Sequence, residues 1–298
     1  MNQAAVRTEG LTKHFGAVRA VDDVDLVIER GEVFGYLGPN GAGKTTTVRL
    51  LLDFLRPTAG RAVVLGGSGG DPDIRRRIGY LPGDLRLDPD YTATDVIDLF
   101  GRLRGGVDRP WVDGLLERFD LDPTRPVGEL STGNRRKVGV VQAFMSRPEL
   151  LLLDEPTSGL DPLLQHEFNA LVREVVAEGA TVLLSSHVLP EVETLATRVG
   201  IVRKGRLVAV AGVEELRQNA RQRIELHVAG PVGEADVARF RAVPEVTEVS
   251  VEAGVVHLVV EGSVDGVIKV ASGLEILRIV SHETDLEDVF LRYYQGEK

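Results

Sequence analysis

The sequence predicts an α/β core carrying an antiparallel β subdomain and an inserted helical subdomain, followed by a small α+β domain. Three observations predict this. The first 36 residues alternate apolar and polar positions, continuous apolar runs at 150–153 and 181–185 are separated by a helical pattern, and the composition turns polar near 218–222. Period-2 alternation marks strands with one solvated face, whereas a short unbroken apolar run fits a strand covered on both faces of a parallel sheet. At 298 residues the chain also exceeds the roughly 100–200 residues of a typical domain.

The elements follow in order. Val18-Arg19-Ala20-Val21-Asp22 and Val24-Asp25-Leu26-Val27-Ile28-Glu29 belong to a small antiparallel sheet. Residues 32–37 read as a strand that runs into a Gly-rich turn, and 45–55 have helical periodicity ending near Pro57. A helical pattern spans 94–145, broken at Gly105-Gly106 and Pro123, which sets a helical subdomain at about 92–148. A strand at 150–153, a helix at 163–177 and a strand at 181–185 restore the β/α alternation. These boundaries define domains at 1–217 and 218–298. The second reads as strand 223–229, helix 234–242, strands 247–252 and 256–260, helix 263–271, strand 276–280 and helix 284–294, a ferredoxin-like order.

Gly38-Pro39-Asn40-Gly41-Ala42-Gly43-Lys44-Thr45-Thr46 matches the phosphate-binding loop, placed between a strand and a helix as the chemistry requires. The glycines let backbone N–H groups turn toward phosphate, the helix start adds positive potential, and Lys44 reaches the terminal phosphates. Thr45 is the expected hydroxyl ligand of Mg²⁺. Asp154 and Glu155 end the 150–153 strand, where the ligand crevice of an open α/β sheet lies. Asp154 is the natural Mg²⁺ partner of the loop, and Glu155 is placed to polarise an attacking water. These two motifs alone give a P-loop NTPase core and leave kinases, GTPases and helicases open. None of the five asparagines precedes a lysine, so the guanine-reading element is missing.

Leu130-Ser131-Thr132-Gly133-Asn134, at the start of a helix shortly before Asp154, resembles the signature of the ATP-binding-cassette (ABC) ATPases. The family's other marks recur in order over about residues 5–217. Ser158-Gly159-Leu160-Asp161 resembles the D-loop, His187 the switch histidine, and Phe15 lies where the family stacks an aromatic ring on adenine. The resemblance implies ATP and Mg²⁺ as cofactors and a homodimer in which each ATP lies between two chains. Lys44, Thr45 and Asp154 would then work with Glu155 and His187 of one chain and with Ser131 and Gly133 of the other. Two departures stand out: Thr132 and Asn134 replace a glycine and a glutamine of the signature, and the family's Q-loop glutamine falls at Gly83. Asp84 is the candidate to approach the metal in its place, the alternative being a water that fills the space.

The segment from Ser281 to Leu291 resembles the ending of ATPases from drug-resistance and ABC-2 exporters, which implies efflux of a drug, antibiotic or lipid through a separate membrane permease. The alternative is a non-transport or regulatory ABC ATPase with little turnover. No apolar run approaches the roughly 20 residues of a membrane helix, the start lacks a secretory pattern, and there is no cysteine. These features fit a cytosolic location, and the resemblance implies a peripheral protein held on the cytoplasmic face of the membrane by the permease. A net charge of −10 argues against a nucleic-acid surface. The basic runs Arg75-Arg76-Arg77 and Arg135-Arg136-Lys137 read as solvated helix faces.

Overall fold

The computed structural model describes residues 4–218 and 221–282. Contacts divide the chain between Val210 and Ala211 into two compact units, seven residues ahead of the boundary that composition suggests. Polarity rises where the chain meets solvent, whereas the division falls where packing changes.

In chain order the first unit begins with β1 (Val6–Phe15), β2 (Val18–Ile28) and β3 (Val33–Leu37), then α1 (Lys44–Leu51), β4 (Ala59–Val64), α2 (Pro72–Arg76) and β5 (Ile78–Leu81). The helical insertion is α3 (Ala93–Arg104), α4 (Arg109–Arg118) and α5 (Thr132–Phe144). The core resumes with β6 (Leu150–Asp154), α6 (Pro162–Ala177), β7 (Thr181–Ser186), α7 (Leu189–Leu195), β8 (Arg198–Arg203) and β9 (Arg206–Gly212). A three-stranded antiparallel sheet has the order β2-β1-β4. Its third strand comes from beyond α1, a pairing that local alternation does not announce. Helix α1 stops at Leu51, four residues short of the expected end, where Asp53 turns to φ 55.

A six-stranded sheet runs β5-β6-β7-β3-β8-β9, with β5, β6, β7, β3 and β8 parallel. All five residues of β3, and all five of β6, are buried, which is why these stretches read as unbroken apolar runs. Each fully buried Leu of β6 contributes about 1.5–3 kcal/mol. Register then decides the chemistry. Asp154 pairs with Ser185 and Leu37 with Ser186, so the ends of β6, β7 and β3 lie in one row at the carboxyl edge.

The second unit contains α8 (Val213–Gln218), β10 (Arg221–Val228), α9 (Glu234–Arg241), β11 (Val246–Glu252), β12 (Val255–Glu261), α10 (Asp265–Ala271) and β13 (Ile276–His282). Its sheet is antiparallel with the order β11-β12-β10-β13. It has its own core, built from Ile224, Leu226, Phe240, Val256, Leu258, Val260 and Val267. The helix expected at 284–294 lies outside the described residues. Among the described residues no helix is long and apolar enough to cross a membrane.

Candidate nucleotide site

The loop from Gly38 to Gly43 joins β3 to α1 and is forced into shape by close neighbours. A Cβ on Gly43 would lie 2.3 Å from the Ala20 carbonyl oxygen, and the residue sits at φ 105. No other residue type meets both demands. Pro39, Asn40 and Gly41 are exposed, Ala42 is buried, and Thr46 is half-buried on the first turn of α1.

Lys44 is only 6% exposed. Its Nζ donates to the carbonyls of Gly38 at 2.6 Å and Pro39 at 3.4 Å, and lies 3.2 Å from Glu155 Oε1. The Thr45 hydroxyl donates to Asp154 Oδ2 at 2.7 Å, and Ser185 Oγ donates to Asp154 Oδ1. His187 Nδ1 lies 2.8 Å from Glu155 Oε2. Lys44, Glu155 and His187 thus form a continuous polar chain across the ends of three elements. Glu155 Oε1 is buried yet accepts no hydrogen bond, because Lys44 lies close to it but off the hydrogen-bonding line. A buried, underused carboxylate oxygen beside a lysine is a group poised for a further donor.

The donor set fits a phosphate-bound Mg²⁺. A hydroxyl and a carboxylate, already 2.7 Å apart, are the hard oxygen ligands that this ion prefers. The glycine-lined loop beside Lys44 suits the phosphates themselves.

Ser131 and Asp161 are helix N-caps here. Ser131 Oγ accepts from the Asn134 N–H at 3.2 Å and starts α5, while Asp161 Oδ1 accepts from the Leu164 N–H at 3.0 Å and starts α6. The two starts touch: a Cβ on Gly133 would lie 3.2 Å from the Gly159 carbonyl oxygen. Phe15, at the end of β1, is 48% exposed, with Lys13 Nζ over one side of its ring at 5.2 Å from the centre.

Asp84 is a correction. It is 66% exposed and pairs with Arg86 at 2.8 Å, with no contact to Thr45 or Asp154 among the described residues. Gly83 occupies that place instead, and a Cβ there would come within 3.2 Å of Asp154 Oδ2. The backbone at Gly83 lies against the carboxylate, and the Asp84 side chain is turned to solvent, where Arg86 pairs with it.

The second correction concerns Arg135-Arg136-Lys137. Arg135 is exposed, but Arg136 and Lys137 are 5% and 8% exposed. Arg136 donates from Nε to Pro156 O at 3.1 Å, from Nη1 to Pro82 O at 2.5 Å and Gly83 O at 3.4 Å, and from Nη2 to Asp154 O at 2.9 Å and Glu155 O at 2.5 Å. Burial pulls its pKa down, and the nearby Asp154 and Glu155 carboxylates oppose that. The signal available in sequence was the helix around it, since residues 138–144 of α5 are all buried and leave no polar face. The basic run at 75–77, by contrast, is a surface face as expected, with Arg75 and Arg76 exposed and Arg77 half-buried. Arg75 donates to the carbonyls of Gly69 and Leu52, and Arg77 pairs with Glu149 at 2.6 Å. Ser185, which holds Asp154 in register, was hidden in sequence because a serine ending an apolar strand carries no motif.

The profile described as "ABC transporter" matches residues 21–158. The daunorubicin resistance ATP-binding protein DrrA3 of Streptomyces coeruleorubidus is 41% identical, over 79% of this chain and 78% of that one. The bacitracin transport ATP-binding protein BcrA of Bacillus licheniformis is 31% identical over 98% of this chain and 97% of its own. A solved structure titled "Structure of ATP binding subunit of ABC transporter" superposes with a TM-score of 0.68 at 30% identity, over 72% of this chain and 92% of that one.

Proposed function

The chain belongs to the ABC transporter family as an ATP-binding and ATP-hydrolysing subunit of the exporter type, and from that premise we propose how its residues work. The carrying observation is that the Thr45–Asp154 hydrogen bond and the Lys44–Glu155–His187 run of charged contacts lie side by side at the carboxyl edge of the sheet.

Lys44 and the amides of the Gly38–Gly43 loop bind the β- and γ-phosphates, with Phe15 stacking on the adenine. Thr45 and Asp154 would hold Mg²⁺, which would neutralise charge developing on the phosphates. Glu155 orients the attacking water and accepts its proton at one carboxylate oxygen, while His187 holds the other oxygen and faces the γ-phosphate. Ser131 and Gly133, at the exposed start of α5, face away from their own loop and serve the nucleotide of a second copy. Asp161 lines the same contact. Two chains therefore close on two ATP molecules and part after hydrolysis, driving a separate membrane permease from the cytoplasmic face. The cargo is a drug, an antibiotic or a lipid.

The test is the oligomeric state of Glu155→Gln with and without Mg-ATP, by light scattering. ATP-dependent dimerisation supports the composite site. A variant that binds ATP and remains monomeric, with or without the permease, removes it.

A further inference from the structure

Arg136 uses all five of its N–H donors, and each meets a backbone carbonyl rather than a side chain. The five carbonyls come from two segments. Pro82 and Gly83 follow β5, whereas Asp154 ends β6 and Glu155 and Pro156 begin the turn after it, the stretch that carries both carboxylates of the site. The guanidinium itself stands one turn into α5, the helix that Ser131 caps. Three parts of the site, far apart in sequence, meet at one buried cation.

The turn it grips needs holding. Glu155 sits at φ 48, a left-handed conformation that a side chain with a Cβ adopts only when its surroundings impose it. Its N–H donates to the Ser185 carbonyl at 3.0 Å, and its own carbonyl accepts from Arg136. The peptide on each side of Glu155 is thus fixed, one by β7 and the other by Arg136. At Gly83 no side chain tethers the segment to the site, and its approach to Asp154 is held from the carbonyl side by the same guanidinium.

We propose that Arg136 is the positioning residue of this ATPase: it sets the backbone that aims the Glu155 carboxylate and ties that aim to α5 and to the 82–83 segment. It touches no substrate and acts through Glu155. The proposal rests on the ATPase reading above, in which Glu155 serves the water.

The experiment uses the full chain and four proteins: wild type, Arg136→Lys, Glu155→Gln and the double variant. Lysine keeps the charge but has three donors on one atom, so it cannot span carbonyls of both segments. Steady-state and single-turnover hydrolysis give kcat, a fluorescent ATP analogue gives Kd, and circular dichroism reports folding. In Arg136→Lys we expect kcat to fall about 100-fold, the scale of a misaimed reacting group, with Kd changed less than about threefold. In the Glu155→Gln background the same change should cost almost nothing more, since residues acting as one unit are not additive.

In the single variant three results would each overturn the proposal: kcat within about twofold of wild type, a parallel loss of ATP binding and turnover, or a lysine variant that does not fold. The last two make Arg136 a purely structural residue. An additive loss in the double variant also refutes action through Glu155. A wild-type chain without ATPase activity instead removes the ATPase reading, which separates the two failures.

Discussion

At the scale of single residues, the site is a set of charges held by neighbours of known type. With Glu155 in the proposed role of base, Glu155→Gln keeps the shape but removes the proton acceptor, so turnover should fall by about 10²–10⁴ while ATP affinity stays near wild type, as measured by steady-state kinetics beside equilibrium binding. Glu149, at the opposite end of β6, tests electrostatics instead. Arg77 and then Arg30 hold its carboxylate down to about 2 from 4.5. A depressed carboxylate pKa contributes stability that is fully present above the unfolded value and fades as pH falls from about 4.5 toward about 2. Urea midpoints of wild type and Glu149→Gln should therefore differ near neutrality and converge across that acid window. The side chain is partly exposed, so the difference is small and shrinks further with salt.

At the scale of elements, β6 and α5 do most to position the chemistry. Every residue of β6 is buried, and Leu152 is fully so. Leu152→Ala should destabilise the first unit by about 2–5 kcal/mol, read from denaturant unfolding, and misplace Asp154 and Glu155 along with the strand. Ser185 acts between elements, through a hydroxyl given to Asp154 Oδ1. Ser185→Ala leaves that carboxylate oxygen without this donor, and a loss of about 1–3 kcal/mol follows from the unmet buried acceptor. The check is thermal unfolding together with the Mg²⁺ dependence of hydrolysis, which should weaken as Asp154 loses its fixed orientation. Helix α5 was legible as a helix. The burial of Arg136 was signalled only by the largely apolar stretch 138–144 that follows it, because a charged residue reads the same in sequence whether it meets water or five carbonyls.

At the scale of the whole molecule, two units with separate cores divide the work. The site lies wholly within the first, and the second packs its own sheet around Leu226, Phe240, Val256 and Leu258. Phe240 is fully buried, so Phe240→Ala should cost about 3–5 kcal/mol. Calorimetry should show that loss in the transition of the second unit, with ATP binding by the first unchanged. A single transition that moves as a whole, carrying ATP affinity with it, would mean that the units unfold together.

That the 38–43 loop joins a strand to a helix, that Asp154 and Glu155 close a buried strand, and that β and α alternate was readable directly, because each depends on neighbours in the chain: a strand, a tight turn, a helix start, a run of buried leucines. The partners of those groups were not. β4 joins β1 across α1, Ser185 meets Asp154 through strand register, Gly83 rather than Asp84 abuts the Asp154 carboxylate, and Arg136 gathers carbonyls from segments 54 and 18 residues away. Local sequence determines backbone preference and the kind of chemistry available. Which buried donor meets which acceptor is decided by the packing of elements distant in the chain, where an unpaired polar group is costly enough to select one arrangement.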